Sequence, residues 1–99
     1  MTKTEMAEKL AAANAWLPGK RVKIDFGADG IVMLDGVADT VSEEDGAADT
    51  TIRIAWADWE AMNSGQLDPM TAFMQGRLKV EGDMSIAMQL QGVLSKLGG

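Results

Sequence analysis

The sequence of 99 residues sets the scale at one domain, residues 1–99, with room for one hydrophobic core and not two. Fifteen Asp and Glu against nine Lys and Arg leave a net charge of −6, and no cationic cluster interleaves with aromatics, so nucleic acid is not an expected partner. Cys and His are both absent, which removes thiol nucleophiles, disulfides, Ser-His and Cys-His catalysis and the usual zinc and transition-metal ligands; no cofactor and no metal is expected.

The composition, 46% apolar and 24% charged, is that of an ordinary soluble globule. No run of about 18 apolar residues offers a membrane span, and no basic-then-apolar leader opens the chain, so a cytoplasmic monomer is the default expectation.

A first helix is predicted from Thr2, where Thr2-Lys3-Thr4-Glu5 has capping-box spacing, to Pro18-Gly19. Met6, Leu10, Ala13 and Leu17 recur at helical spacing and should face the core, leaving Glu5, Glu8, Lys9 and Asn14 in water. Arg21 to Phe26 alternates polar and apolar, so Val22, Ile24 and Phe26 share one face of a first strand. Gly27-Ala28-Asp29-Gly30 turns the chain into a second strand, Ile31 to Leu34, which is apolar at every position and so calls for cover on both faces. Asp35-Gly36 favours a tight turn, Val37 to Val41 reads as a weaker third strand, and an acidic loop runs from Ser42 to Asp49. With Asp39 just before it, that loop offers Glu43, Glu44, Asp45 and Asp49 as hard oxygen ligands. No register matches the spacing of a calcium loop, and a solvated loop is the expected reading.

Thr51 to Ile54 is the fourth strand, with Ile52 and Ile54 inward. Asp58 is the expected cap of a short helix that carries Trp59 and Met62 and closes at Gly65. Asp68-Pro69 opens a second short helix, since the aspartate accepts a free backbone N–H and proline has none to leave unpaired. Gly76 sits where a left-handed cap ends it, and Arg77 to Glu81 alternates as a half-buried strand. Gly82-Asp83 leads into a last helix from Met84 to about Leu97. One row of that helix is Ile86, Leu90, Val93 and Leu97, and Met84, Ala87, Met88 and Leu94 widen the apolar face beyond one stripe. Four strands, two helices, a strand and a helix do not alternate strictly, so the pattern alone gives an α+β fold with an antiparallel-rich sheet.

The run Asp49 to Ile54, Trp59, Met62, Gly65 to Pro69, the stretch Ala72-Phe73-Met74-Gln75-Gly76-Arg77-Leu78-Lys79-Val80-Glu81-Gly82-Asp83-Met84, and Ala87 to Leu90 together resemble the sterol carrier protein lipid-binding domain. The compound pattern is dense from Asp49 to Gln91 and thin before it. The resemblance implies a five-stranded mixed, mostly antiparallel sheet whose helices enclose an apolar tunnel on one face. It also implies a non-enzymatic carrier of fatty acids, acyl-CoA or similar apolar chains. Residues in a position to line the tunnel are Phe26, Ile54, Trp59, Met62, Met70, Phe73, Met74, Met84, Met88 and Leu90.

Physical chemistry adds to this reading. Methionine occurs eight times, and its unbranched thioether adapts to irregular apolar shapes, as a chain-like lipid requires; a row of methionines at helical spacing is otherwise ordinary core. Gln91 interrupts an apolar helix and matches a family glutamine, so it either holds a polar lipid head or faces solvent. Two other functions stay open. The apolar last helix would serve a protein-interaction or dimerisation module without a ligand. Asp25, Asp35 and Asp83 would serve carboxylate acid/base chemistry, although each also reads as a strand-edge charge, a turn residue or a helix cap. Transient membrane contact through the first helix, using Lys3, Lys9, Lys20 and Arg21, competes with use of its apolar row by the core.

Overall fold

A computed structural model describes residues 2–98, without the side chains of 63, 69, 91 and 94–98. The elements, in chain order, are α1 (Lys3–Ala12), β1 (Arg21–Asp25), a single 3-10 turn (Gly27–Asp29), β2 (Ile31–Asp35), β3 (Thr40–Ser42), β4 (Thr50–Ile54), α2 (Trp56–Asn63), α3 (Pro69–Met74), β5 (Leu78–Gly82) and α4 (Met84–Gly98). The fold is α+β. The strands form one five-stranded mixed sheet in the order β3-β2-β1-β4-β5, in which only β1 and β4 run parallel.

The helices cover one face. In register across the sheet, Ile24 stands beside Val32 on one side and Ile52 on the other, and Ile52 beside Val80. These side chains join Met6 and Leu10 of α1, Trp59 of α2, and Ile86 and Leu90 of α4 in one core. Each fully buried aliphatic side chain there contributes about 1.5–3 kcal/mol.

The acidic segment covers part of the other face. Lys23 and Met33 are cross-strand neighbours on that side. Lys23 Nζ pairs with Asp45 at 2.6 Å, and Met33 is 5% exposed, with its Cε against Gly46. The segment is therefore tethered as well as solvated: Glu43 pairs with Lys3 at 3.4 Å, and Asp49 Oδ2 accepts the Arg21 N–H at 2.9 Å. This cover explains the uninterrupted apolar run of β2.

Three boundaries differ from the sequence expectation. α1 stops at Ala12 because Asn14 takes a left-handed φ of 52° and the Ala15 N–H returns to the Leu10 carbonyl at 3.0 Å. The turn buries Ala15 and Leu17 and leaves Ala13 exposed. The third strand begins at Thr40, not Val37, because Asp35 Oδ1 accepts the N–H groups of both Val37 and Ala38 at 2.9 Å and holds them in a turn. Gly36 in that turn admits no side chain: a Cβ would collide with the Leu17 and Lys20 carbonyl groups. Lastly, the N-cap of α2 is Ala55, and Asp58 lies within the first turn.

The predicted ends of the short helices hold. Asp68 caps α3 through the Met70 N–H at 3.3 Å, and Gly65 and Gly76 take positive φ after α2 and α3. Thr50, buried at the start of β4, donates its hydroxyl to the Asp83 carbonyl at 2.9 Å and so fixes the entry to α4.

Candidate functional site

α3 and α4 both pack against the edge strand β5. Each turns its small or branched apolar residues inward and its long ones outward. On α3, Ala72 is fully buried, while Met70, Phe73 and Met74 are exposed, Met74 to 80%. On α4, Ile86, Ala87 and Leu90 are buried, while Met84 and Met88 are exposed, Met88 to 65%. Met70 and Met74, like Met84 and Met88, are four residues apart and so lie on one side of their helix. Among the described residues, the one other large apolar side chain so exposed is Val37, at the opposite edge of the sheet.

The remaining candidates divide differently. Phe26, Ile54, Trp59 and Leu90 belong to the core, and Met62 is half-buried at its margin. Gln91 lies in α4, with its side chain outside the described residues. Phe26 sits at the centre of an aromatic cluster, edge-on to Trp56 at 5.1 Å and to Trp59 at 5.7 Å between ring centroids. The Trp59 indole Nε1 is buried with no acceptor in reach among the described residues. Such a donor costs about 1–3 kcal/mol until something accepts from it.

A pocket of about 290 Å³ opens at the ends of β1 and β4, where residues of both sheet faces meet. Phe26, Ile54 and Ala55 supply its apolar wall, and Asp25, Arg53, Arg77 and Lys79 its polar rim. Of these, Phe26 and Ile54 are sequence candidates. The cations were missed because Arg77 and Lys79 alternate with Leu78 and Val80 and read simply as the wet side of a strand. The in-register alignment of three strands is what gathers them.

The carboxylates serve structure. Asp35 is held below the usual carboxylate range mainly by the Ala38 N–H, with Val37 and Arg21 adding to it. Asp45 is lowered mainly by its bond from Lys23, and Asp83 by the Ser85 hydroxyl and N–H at the start of α4. Asp25 accepts the Gly27 N–H at 2.8 Å and pairs with Arg53 at 3.1 Å. Each of the three that would have done acid/base work is thus engaged in a turn, a cap or an ion pair. Within the 43–49 segment, Glu43, Asp45 and Asp49 go to separate partners, and among the described residues no three acidic groups converge on a metal position.

α1 directs its apolar row inward: Met6, Ala7 and Leu10 are all buried. Lys3 and Arg21 are engaged with Glu43 and Asp35. Among the described residues, Val37 apart, the large apolar side chains that remain exposed are those of α3 and α4.

The profile of the SCP-2 sterol transfer family matches residues 3–95. Stomatin-like protein 1 of Mus musculus is 46% identical over 55 residues, 56% of this chain and 14% of that protein. Sterol carrier protein 2 of Bos taurus is 41% identical over 59 residues, 60% of this chain and 11% of that protein. The chain therefore spans only a small part of the length of these relatives. The solution structure of sterol carrier protein 2 from Aedes aegypti, in complex with palmitate, is similar with a TM-score of 0.74 at 19% identity, covering 92% of each chain, which is a likeness of fold. With the sheet order, the helix arrangement and the match over nearly the whole sequence in hand, the chain belongs to the SCP-2 sterol transfer family.

Proposed function

We propose that this chain binds a single apolar chain, a fatty acid or an acyl-CoA, without catalysing a reaction on it, and that the ligand lies along α3 and α4. The observation that carries this reading is the exposure of Met70, Phe73, Met74, Met84 and Met88 on the two helices that flank β5. Long apolar side chains left exposed on two helices of a small acidic protein mark an interaction site, and flexible thioethers suit a ligand with no fixed shape. Palmitate in the Aedes aegypti structure supports the ligand class. The unpaired Trp59 N–H supplies a donor for a ligand oxygen that passes the aromatic cluster.

Thermal unfolding with and without lipid tests this. A ligand bound by the folded state alone stabilises it by about 2.7 kcal/mol at a hundredfold excess over Kd. For a domain of this size that corresponds to about 4–8 °C in Tm per kcal/mol. Saturating palmitate or palmitoyl-CoA should therefore raise Tm by several degrees or more. Absence of any shift, together with self-association that grows with protein concentration, would instead assign the exposed methionines to a protein interface.

A further inference from the structure

We propose that the pocket at the ends of β1 and β4 receives the phosphate head of an amphiphile, with Arg77 and Lys79 as its binding cations and Phe26 and Ile54 against the first carbons of the chain. This rests on the reading above that an apolar chain lies along α3 and α4, and gives that chain a phosphate head in place of a fatty-acid carboxylate.

The first ground is the distribution of charge. The chain has nine cations and fifteen carboxylates, yet the pocket gathers three cations and a single carboxylate. The lone carboxylate, Asp25, is already engaged by Arg53 and the Gly27 N–H. Arg53 is held a second time, by Glu81 at 3.0 Å. Arg77 and Lys79 make no ion pair among the described residues, although all fifteen acidic side chains are described.

The second ground is register. Lys79 stands directly opposite Arg53 in the antiparallel β4–β5 pair. Asp25 and Glu81 take up the charge of Arg53, whereas Lys79 beside it has no ion-pair partner among the described residues. An anion held between the strand end and the turn before β5 turns the same arrangement into an attraction. The first turn of α2 adds to the positive field, because Ala55 lines the pocket and offers no side chain to cap the leading N–H groups. Asp58, in the same turn, is not among the lining groups.

Two uncompensated cations match a dianionic phosphate better than a carboxylate, which one of them would neutralise. The apolar wall argues for an amphiphile over free phosphate. Gly76, on the pocket, donates its N–H to the Phe73 carbonyl at 3.1 Å, so the pocket adjoins the end of α3 where Phe73 and Met74 are exposed.

The test compares dodecyl phosphate, laurate, dodecanol and inorganic phosphate binding to the whole chain and to the double variant Arg77→Gln, Lys79→Gln. Both residues are exposed and Lys79 stands opposite another cation, so the variant should unfold at or slightly above the parent's urea midpoint. The parent should bind dodecyl phosphate at least about tenfold tighter than dodecanol, with laurate between them. The variant should lose that order while keeping the parent's affinity for dodecanol. Raising salt to about 0.5 M should compress the order in the parent, with no variant needed. A variant that keeps the preference, or weakens all three chains equally, overturns the head-group site and leaves lipid binding intact. Inorganic phosphate competing as well as dodecyl phosphate overturns the amphiphile. A parent that binds none of the three chains overturns the lipid-binding reading, and the head-group site with it.

Discussion

Replacing Trp59 with Phe sets two opposing effects against each other. The indole is 2% exposed and its Nε1 has no acceptor among the described residues, so the substitution removes an unpaired buried donor and regains about 1–3 kcal/mol. The smaller ring leaves a void of about 40 Å³, which costs about 1 kcal/mol at roughly 24 cal/mol per Å³. Loss of two buried ring carbons costs about 1–2 kcal/mol more. The expected net change is close to zero. A satisfied, buried tryptophan would instead lose the packing contributions and the hydrogen bond together, about 3 kcal/mol. Urea unfolding of parent and variant, read at the midpoint with unchanged m, separates the two cases. A loss of about 3 kcal/mol in the unliganded protein would refute the orphaned donor. The same variant then reports on the ligand: if a lipid oxygen accepts from Nε1, affinity falls about tenfold, about 1.4 kcal/mol. Unaltered affinity would take Trp59 out of the site.

Met74→Asp and Met88→Asp should each leave the urea midpoint within about 0.5 kcal/mol of the parent, because both side chains are exposed, yet abolish the lipid-induced rise in Tm. Leu90→Ala should do the reverse and cost about 2–5 kcal/mol, since Leu90 is fully buried in the core; calorimetry checks it. Gly36→Ala should cost about 3 kcal/mol or more in urea, because its Cβ meets backbone carbonyl groups on two sides. On acidification, the lowered pKa values of Asp35, Asp45 and Asp83 set the sign. Their stabilisation is fully present above the ordinary carboxylate pKa of about 4 and is lost as pH falls through the lower folded values, so urea midpoints should drop below about pH 4.

What the sequence makes legible is whatever repeats at a fixed period or is closed by a capping residue. The alternation in β1 and β4 places Val22, Ile24, Ile52 and Ile54 inward, Asp68 marks the start of α3, and Gly65 and Gly76 mark the ends of α2 and α3. The early end of α1 was legible only in Asn14, a residue that tolerates the left-handed conformation but does not require it. Val37 to Val41 has strand composition, yet one carboxylate, Asp35, claims the two N–H groups that a strand would have paired. The site divides in the same way. Helical spacing marks Met70, Met74, Met84 and Met88 as apolar positions, but which side of each helix faces the sheet depends on the packing of Ala72 and Leu90, a tertiary fact. The cationic pocket depends on the pairing of β1 with β4 and of β4 with β5, which no local pattern encodes.

The two helices flanking β5 hold their places by different means. α4 inserts Ile86 and Leu90 into the common core, so its position is fixed by burial. α3 has six residues, too few to be stable alone. Neither Ala72 nor the adjoining Leu67, though buried, belongs to the common core. What fixes α3 is largely local: the Asp68 cap and proline at its start, and at its end the return of the Gly76 and Arg77 N–H groups to Phe73 and Ala72 at 3.1 and 2.9 Å. Its three long apolar side chains therefore contribute little to folding where they stand, and exposing them carries a solubility cost that the fold does not require. A binding role accounts for that cost. It also explains why substitutions on the outer side of α3 should change lipid affinity and leave stability alone, whereas inward substitutions on α4 should do the opposite.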